Sequence, residues 1–259
     1  MDSRVKICEL AIRMKDILGL GYSPVGVRFL DKKENTKTCD NIKGNIKMRY
    51  CQGIMLARKG MNVVLENENI SCPAAAHAFG FRPLPDGLAN GHGLVGFGIV
   101  SDPKVGKKMF ENMPKLTNKI EQIQLFPLEK TEHMPDVIVV EDYVEKLMWL
   151  VLAYLHVTGG SRVNSSTAVL QATCVDATIS PFIYNKMNLS YGCYGCRDAT
   201  DIETGETILG FPTSLLYPIM EHLEYLHKKA IPSSRAKNAY KSMLKNKTND
   251  MTNDKEQNK

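Results

Sequence analysis

Apolar residues recur every three to four positions in some stretches of the chain and alternate with polar residues in others. The first pattern predicts helices and the second predicts strands. Helices are predicted at 3–18, 52–59, 72–79, 102–113, 142–157, 214–229 and 234–245. Strands are predicted at 24–29, 62–65, 94–100, 122–125, 136–140, 188–191 and 207–209. Because strands and helices mix without regular alternation, the predicted fold class is α+β, a mixed sheet with flanking helices.

This order of elements predicts one α+β domain over residues 1–245, or two closely packed halves within it. The last residues, 246–259, contain one apolar residue, Met251, so we predict a disordered tail. The composition, 43% hydrophobic and 24% charged over 259 residues, excludes collagen-like, coiled-coil and wholly disordered chains. The longest apolar run, Leu147–Val157, is far shorter than the roughly 20 residues that span a bilayer. With no signal-like start, we expect a cytoplasmic protein without a membrane segment.

The net charge of +5 is modest, and no dense basic block accompanies it. Nucleic-acid binders usually concentrate basic residues on one face, so we expect no nucleic-acid partner. The stretch Gly91-His92-Gly93-Leu94-Val95-Gly96 matches G-x-G-x-x-G. A dinucleotide fingerprint must follow a strand and open a helix, whereas this match follows a loop and enters the predicted strand 94–100. We therefore interpret it as a turn that glycine permits.

Seven cysteines in a chain without a secretion signal favour metal binding or redox chemistry over a disulfide framework. Cys8 lies beside the apolar face of the first helix, and Cys39 lies in a polar loop. Cys51 and Cys72 each stand at a predicted helix start, where the helix dipole favours a thiolate. Cys174 stands at the end of an element.

The segment Cys193-Tyr194-Gly195-Cys196 lies in a glycine-rich stretch that we interpret as a turn. A Cys-x-x-Cys pair serves zinc, iron–sulfur clusters and thiol–disulfide exchange. Exchange is less favoured here, because a polar segment follows the pair where a thioredoxin-type site would continue as a helix. A tetrahedral zinc site normally uses two close pairs of ligands, and only one is visible. Separated thiolates suit a [4Fe–4S] cluster at least as well, so spacing leaves the choice open.

Five short motifs occur in order along the chain, and four of them contain cysteine. They are Pro24-Val25-Gly26-Val27-Arg28-Phe29, Tyr50-Cys51-Gln52, Cys72-Pro73-Ala74-Ala75-Ala76, Cys174-Val175-Asp176-Ala177 and Gly192-Cys193-Tyr194-Gly195-Cys196-Arg197. Together they resemble the domain of unknown function 169 family of archaeal and bacterial proteins, from the first helix to about Leu226. The composition, rich in Lys, Asn and Ile, is compatible with an archaeal source.

The resemblance implies no particular reaction, but it implies which cysteines belong to the shared pattern. Cys51, Cys72, Cys174 and Cys193 occupy recurring positions, whereas the position of Cys196 is usually polar. Cys8 and Cys39 fall outside the motifs. On this basis the leading hypothesis is a [4Fe–4S] cluster held by these four recurring cysteines, with Cys196 as an alternative ligand. Its role would be redox transfer, with a redox partner, or binding of a small anion.

Two other functions stay open at this point. One is a zinc-stabilised module that binds a small ligand without redox activity, and the other is a Cys-x-x-Cys thiol redox enzyme. Several arginines stand near the motifs, and their planar guanidinium groups suit anions. We therefore predict an anion pocket from Arg28, Arg58, Arg82 and Arg197; Arg49 also flanks Cys51. His77 is interpreted as a core histidine rather than a ligand, and Asp176 as structural rather than a general acid.

Overall fold

The protein is represented by a computed structural model that describes residues 3–33, 41–42, 46–160, 162–168 and 170–245. Cys39 and the predicted tail at 246–259 lie outside the described residues. Across the described residues, no helix is both long and apolar enough to cross a membrane.

Seven strands form one sheet within the described part of the chain, in the spatial order β2-β3-β4-β1-β5-β7-β6. All neighbouring pairs are antiparallel except the two-residue edge pair of β2 with β3, which is parallel. The strands are β1 Val25–Leu30, β2 Asn41–Ile42, β3 Asn62–Leu65, β4 Gln122–Pro127, β5 Val137–Tyr143, β6 Asn188–Ser190 and β7 Glu206–Pro212. Helices flank this mixed sheet, which confirms the predicted α+β class.

The helices alternate with these strands irregularly. They are α1 Ser3–Leu18, α2 Tyr50–Arg58, α3 Pro73–Ala78, α4 Asp86–Ala89, α5 His92–Gly96, α6 Pro103–Glu111, α7 Val144–Thr158, α8 Ser180–Tyr184, α9 Tyr194–Ala199, α10 Leu216–Lys228 and α11 Ala230–Ala236. A π-helix at Ala172–Ile179 runs directly into α8, and short 3-10 turns occupy Leu128–Lys130 and Thr213–Leu215. Residues 238–245 are also helical.

Each face of the sheet is covered by its own hydrophobic core. In β5, Val137 and Val139 belong to one core, while Ile138 and Val140 belong to the other. This is the period of two that a strand imposes on its side chains. The uninterrupted apolar run in β5 is therefore buried on both faces, as its sequence predicted. Helices α1, α7 and α10 cover one face, and α2, α3 and the π-helix cover the other.

The predicted strand at 94–100 is wrong, because residues His92–Gly96 form α5. The cause is a close crossing of two glycines, which local sequence patterns do not reveal. Gly91 has φ of +84°, and a Cβ on it would lie 1.9 Å from the carbonyl oxygen of Pro103. A Cβ on Gly106, in α6, would lie 2.8 Å from the carbonyl oxygen of Gly91. This contact packs α5 against α6. The glycine motif 91–96 therefore opens a helix, but the element before it is the helix α4 and not the strand that a dinucleotide fingerprint requires.

The π-helix rests on β7 through a glycine. A Cβ on Gly210 would lie 1.7 Å from the carbonyl oxygen of Ala177 and 2.5 Å from its carbonyl carbon. Both obstacles are backbone atoms inside regular elements, so neither moves aside without shifting a whole helix or strand. The residue at position 210 must therefore lack a side chain if the π-helix is to lie on the sheet.

We predict that Gly210→Ala lowers the free energy of unfolding by about 2 kcal/mol or more, since overpacking in a tight core usually destabilises by 1–3 kcal/mol. Gly87→Ala is the matched control, because a Cβ there meets nothing within 4 Å and alanine favours α4. Urea denaturation followed by circular dichroism measures both changes. Equal stability of the two variants would show that the π-helix does not need this close approach.

Candidate functional site

One cavity on the π-helix side of the sheet contains all five cysteines of the motifs. Its volume is about 550 Å³. The thiols that line it come from four separate helices or helix starts and are Cys51, Cys72, Cys174, Cys193 and Cys196. Four of them are buried, and Cys72 is half-buried. Cysteines up to 145 positions apart in sequence therefore converge on one site.

Cys51 and Cys72 reach the cavity because the segments that precede their helices run side by side. Met48 and Ile70 form a parallel bridge. The backbone N–H of Met48 donates to the carbonyl of Asn69 at 2.9 Å, and the N–H of Ser71 donates to the carbonyl of Met48 at 2.8 Å. Cys51 then lies in the first turn of α2, and Cys72 is the N-cap residue of α3, with Pro73 after it. The predicted helix starts at both cysteines are confirmed.

Gln52 explains why the motif Tyr50-Cys51-Gln52 lies beside the Cys-x-x-Cys pair. Its Oε1 accepts a hydrogen bond from the backbone N–H of Arg49 at 2.8 Å, which caps α2. Its Nε2 donates to the carbonyl of Ala199 at the end of α9, at 3.0 Å. Arg49 Nη1 donates to the carbonyl of Gly195, also at 3.0 Å. These bonds fasten α2 to α9 and so fix Cys51 near Cys193 and Cys196.

Cys174 lies inside the π-helix rather than at the end of an element, where the sequence pattern placed it. Asp176, two residues further, fixes this helix to its neighbours. Its Oδ2 accepts hydrogen bonds from the backbone N–H of Ala168 at 3.1 Å and from the hydroxyl of Ser190 at 2.9 Å. Burial raises the pKa of the Asp176 carboxyl to about 6. Asp176 does not line the cavity, so its contacts agree with a structural role.

The glycine-rich stretch around Cys193 is a helix start and not a simple turn. Cys193 is the N-cap of α9, and its Sγ accepts a hydrogen bond from the backbone N–H of Cys196 at 3.2 Å. β6 ends at Ser190, three residues earlier. The Cys-x-x-Cys pair therefore follows a strand and opens a helix, contrary to the sequence interpretation. This arrangement is the one that thiol–disulfide exchange sites favour.

The thiols interact with one another inside the cavity. The Sγ atoms of Cys193 and Cys196 lie 3.0 Å apart, and the Oγ1 of Thr173 lies 3.2 Å from Cys196 Sγ. Cys51 is also a neighbour of Cys196 and acts to raise its pKa. Cys174 interacts electrostatically with Cys72, Cys193 and Cys196. Cys196 is therefore central to the group, although its position is not part of the recurring pattern.

These surroundings favour the protonated form of the free thiols. Burial, followed by the neighbouring thiols, holds the pKa of Cys174 well above its ordinary value. The hydrogen bond with Cys196, followed by burial, raises the pKa of Cys193. For Cys196, the hydrogen bond with Cys193 lowers the pKa, but the influence of Cys51 and burial outweigh it and raise the pKa to about 11. A bound metal cation has the opposite effect and stabilises thiolates.

The described residues contain no group of three or more His, Cys, Asp or Glu side chains that could hold a single metal ion. A tetrahedral zinc ion with Zn–S bonds of about 2.3 Å needs its sulfurs about 3.8 Å apart. The five thiols instead line the wall of a cavity of about 550 Å³. A donor set of five sulfurs is of the type that binds soft metals, which include zinc and iron–sulfur clusters.

None of the four arginines proposed for an anion pocket lines the cavity. Arg28 donates to Oε1 of Gln124 on the neighbouring strand β4 at 3.4 Å. Arg82 donates to the carbonyl of Ile70 at 2.6 Å, which fastens the segment before Cys72. Arg197 donates to the carbonyl of Glu206 at 3.0 Å, which fastens α9 to β7. Arg82 and Arg197 thus position cysteines, and Arg49 is the arginine at the cavity.

Arg58 lies in a buried group of charges at the other end of α2 from Cys51. Its side chain is only 2% exposed, and Nη1 lies 3.1 Å from Oε1 of Glu206 and 3.5 Å from Oε2 of Glu141. Its Nη2 lies 3.6 Å from Asp201, and its guanidinium carbon lies 4.3 Å above the Tyr22 ring. Burial raises the pKa of Glu141 to about 7, although Arg58 acts to lower it.

His77 is half-buried and does not line the cavity, so the structure does not place it among the thiols. Cys8 is half-buried too, and its Sγ donates to the carbonyl of Thr131 at 3.6 Å, away from the other thiols. Sequence reasoning missed Gln171 and Thr173, which line the cavity beside Cys174. In the sequence, the feature that could have indicated them is a single glutamine between apolar residues, three positions before Cys174.

Comparisons with known proteins agree with the earlier resemblance. The family model DUF169, described as "Uncharacterised ArCR", matches residues 13–222. The chain is also 28% identical, over 229 residues, to "Uncharacterized protein MJ0308" of Methanocaldococcus jannaschii. That alignment covers 86% of this chain and 96% of the archaeal protein. No solved structure matches the chain significantly.

The buried charges around Arg58 generate a prediction about pH. A carboxyl whose pKa is higher in the folded than in the unfolded protein loses stabilisation as the pH rises between the two values. For Glu141 this window runs from its ordinary value of 4.5 to about 7. We therefore expect the protein to be less stable at about pH 8 than at about pH 5, and Glu141→Gln to reduce that difference by roughly 1–3 kcal/mol.

Urea denaturation at both pH values measures this effect. Asp176 and Asp136, whose pKa values burial also raises, contribute in the same direction, so part of the pH dependence should remain in Glu141→Gln. Glu145→Gln, at an exposed carboxyl on α7, is the control and should leave the pH dependence unchanged. An unchanged pH dependence in Glu141→Gln would contradict the assignment.

Proposed function

The chain belongs to the DUF169 family, and we propose that its cysteine-lined cavity holds a [4Fe–4S] cluster through Cys51, Cys72, Cys174 and Cys193. The observation that carries this proposal is the convergence of these four thiols, from distant segments, on one cavity. Cys196 lies close enough to Cys193 to replace it as a ligand. When bound, such a cluster supplies one-electron transfer, or a Lewis-acidic iron for a small anion.

The protein's own groups provide the surroundings that tune a cluster. The backbone N–H of Cys196 donates to the sulfur of Cys193, and the hydroxyl of Thr173 contacts the sulfur of Cys196. Such donors stabilise negative charge on sulfur. The hydrophobic core that includes Cys51 and Cys174 keeps water from the inner side of the site. Ligands on separate elements also couple cluster binding to folding.

The proposal predicts that Ser in place of Cys51, Cys72 or Cys174 lowers the iron content of anaerobically purified protein by at least about tenfold, because even loss of a hydrogen bond to a ligand costs about 10–100-fold in affinity. Ser in place of Cys193 should do so when combined with Cys196→Ser, because Cys196 can replace Cys193. The same variants should be less stable than the wild type. Iron and acid-labile sulfide analysis, with the absorption spectrum, provides the measurement. Cys8→Ser and Cys39→Ser are the controls and should keep their iron.

The wild-type protein itself can overturn the cluster proposal. A colourless protein without acid-labile sulfide would rule it out. If that protein held stoichiometric zinc instead, it would be a zinc-stabilised binding module. Loss of iron in Cys8→Ser or Cys39→Ser would show that the cysteines are grouped wrongly.

A second candidate, a thiol redox enzyme, is favoured by one observation: the Cys-x-x-Cys pair follows a strand, opens α9 and has sulfurs 3.0 Å apart. In such an enzyme, the Cys193 thiolate attacks a substrate disulfide and releases one thiol. Cys196 then attacks the mixed disulfide and releases the second thiol, so the enzyme pair is oxidised by two electrons and the substrate is reduced.

The two candidates predict different behaviour of one pair of variants. With a cluster held by Cys51, Cys72, Cys174 and Cys193, Cys51→Ser loses iron and Cys196→Ser retains it. With a dithiol enzyme, Cys193→Ser and Cys196→Ser each abolish reduction of a model disulfide, whereas Cys51→Ser keeps that activity. If iron-free protein reduces the model disulfide, and Cys51→Ser retains this activity, the protein is a dithiol enzyme.

A further inference from the structure

The cavity contains a set of apolar side chains that a cluster does not need. They come from the region of α4, α5 and α6 and from the residue before Gln171, and they are Leu88, Leu94, Phe97, Ile99, Phe110 and Leu170. Phe97 is 66% exposed and also borders the cavity. A volume of about 550 Å³ lies within the range of pockets for small organic molecules, about 300–1,000 Å³.

Gln171 is a buried hydrogen-bond donor without an acceptor. The residue is only 6% exposed, it lines the cavity, and its Nε2 has no hydrogen-bond partner among the described residues. Buried polar groups in folded proteins are nearly always paired, so an exception indicates a missing partner. Because Nε2 is a donor, the partner that it lacks is an acceptor, such as a water, carbonyl or carboxylate oxygen.

The backbone of Gln171 supports the same conclusion. Its φ of +65° and ψ of +28° lie in the left-handed region, which glycine and asparagine adopt more readily than glutamine does. Strained backbone of this kind clusters at binding sites, where it holds a side chain in place. Gln171 is also the residue that precedes the π-helix, and its carbonyl accepts from the N–H of Val175 at 2.9 Å.

Arg49 adds a positive charge to the cavity. Of the described residues that line it, Arg49 alone is basic, and Asp198 alone is acidic. The Arg49 side chain is 40% exposed, and its Nη1 lies 3.7 Å from Asp198 and donates to the carbonyl of Gly195. A guanidinium group has five N–H donors, so these contacts leave donors for an anion.

From these observations we propose that the cavity binds a small organic monocarboxylate. Its carboxylate accepts hydrogen bonds from Gln171 Nε2 and Arg49, and its apolar body lies against Leu94, Phe97 and Phe110. The site extends beyond the proposed cluster, since it uses the lining residues that bear no thiol. It does not depend on the cluster, although a ligand bound there would lie in the same cavity as the thiols.

Isothermal titration calorimetry of the anaerobically purified protein tests this proposal with three probes: hexanoate, octanoate and 4-phenylbutanoate. Pentylamine, heptylamine and 3-phenylpropylamine are their matched controls, with the same apolar bodies and a cationic end. We expect saturable binding of at least one carboxylate. Its matched amine should bind at least about tenfold more weakly. No saturable binding of any carboxylate, or equal binding of its amine, would overturn the proposal.

Variants then test the individual residues. Gln171→Asn and Gln171→Gly both suit left-handed backbone, and each should weaken carboxylate binding by about tenfold or more, as expected for a lost hydrogen bond to a charged group. Phe97→Ala should weaken it several-fold. Tyr225→Ala, at an exposed aromatic residue on α10 outside the cavity, is the control. Unchanged affinity in both Gln171 variants would overturn the role of this residue and with it the proposed site.

Iron analysis of the same samples separates the two proposals. If iron-free wild-type protein binds a carboxylate, the ligand site is supported and only the cluster proposal is contradicted. Iron-loaded wild-type protein that binds no carboxylate would support the cluster and overturn the ligand site.

Discussion

The close contact between Gly210 and the carbonyl of Ala177 is the constraint on which both the fold and the cavity depend. It allows the π-helix to lie directly on β7, a strand that itself pairs with β5 and β6. Cys174 is carried by this helix, so the depth of the helix on the sheet sets the position of the thiol. A π-helix is uncommon, and its appearance next to a candidate site agrees with the general association of π-helical turns with function.

Side-chain hydrogen bonds to backbone carbonyls fix the remaining thiols around that helix. Gln52 joins α2 to α9, Arg82 fastens the segment before Cys72, and Arg197 fastens α9 to β7. Helix α2 therefore has two different ends: Cys51 enters the cavity at one, and Arg58 enters a buried group of charges at the other. Because a buried ion pair tolerates little displacement, the charged end restrains the position of the end that carries the thiol.

The periodic elements were predictable, and so were short elements such as β3, β6 and α3, whereas α5 and α9 were not. The strand at β1 and helices α1, α7 and α10 follow from apolar spacing over many residues, which is the strongest local signal. The short helices α5 and α9 were misread as a strand and a turn. Their conformation depends on distant contacts, such as the crossing of Gly91 and Gly106. The four arginines near the motifs do not line the cavity, because their side chains bind acceptors elsewhere in the fold.

The sequence alone determined which reactive side chains the protein has and which element carries each of them. It showed five motif cysteines, two of them at helix starts, and its apolar spacing specified an α+β fold. Only the tertiary structure decided which groups share one cavity. It placed Cys196 among the other thiols, Arg58 away from them, and the unpaired amide of Gln171 at the cavity wall. The physical reason is that local sequence fixes the period and ends of an element, whereas proximity across more than a hundred residues depends on strand order and on the packing of helices against the sheet.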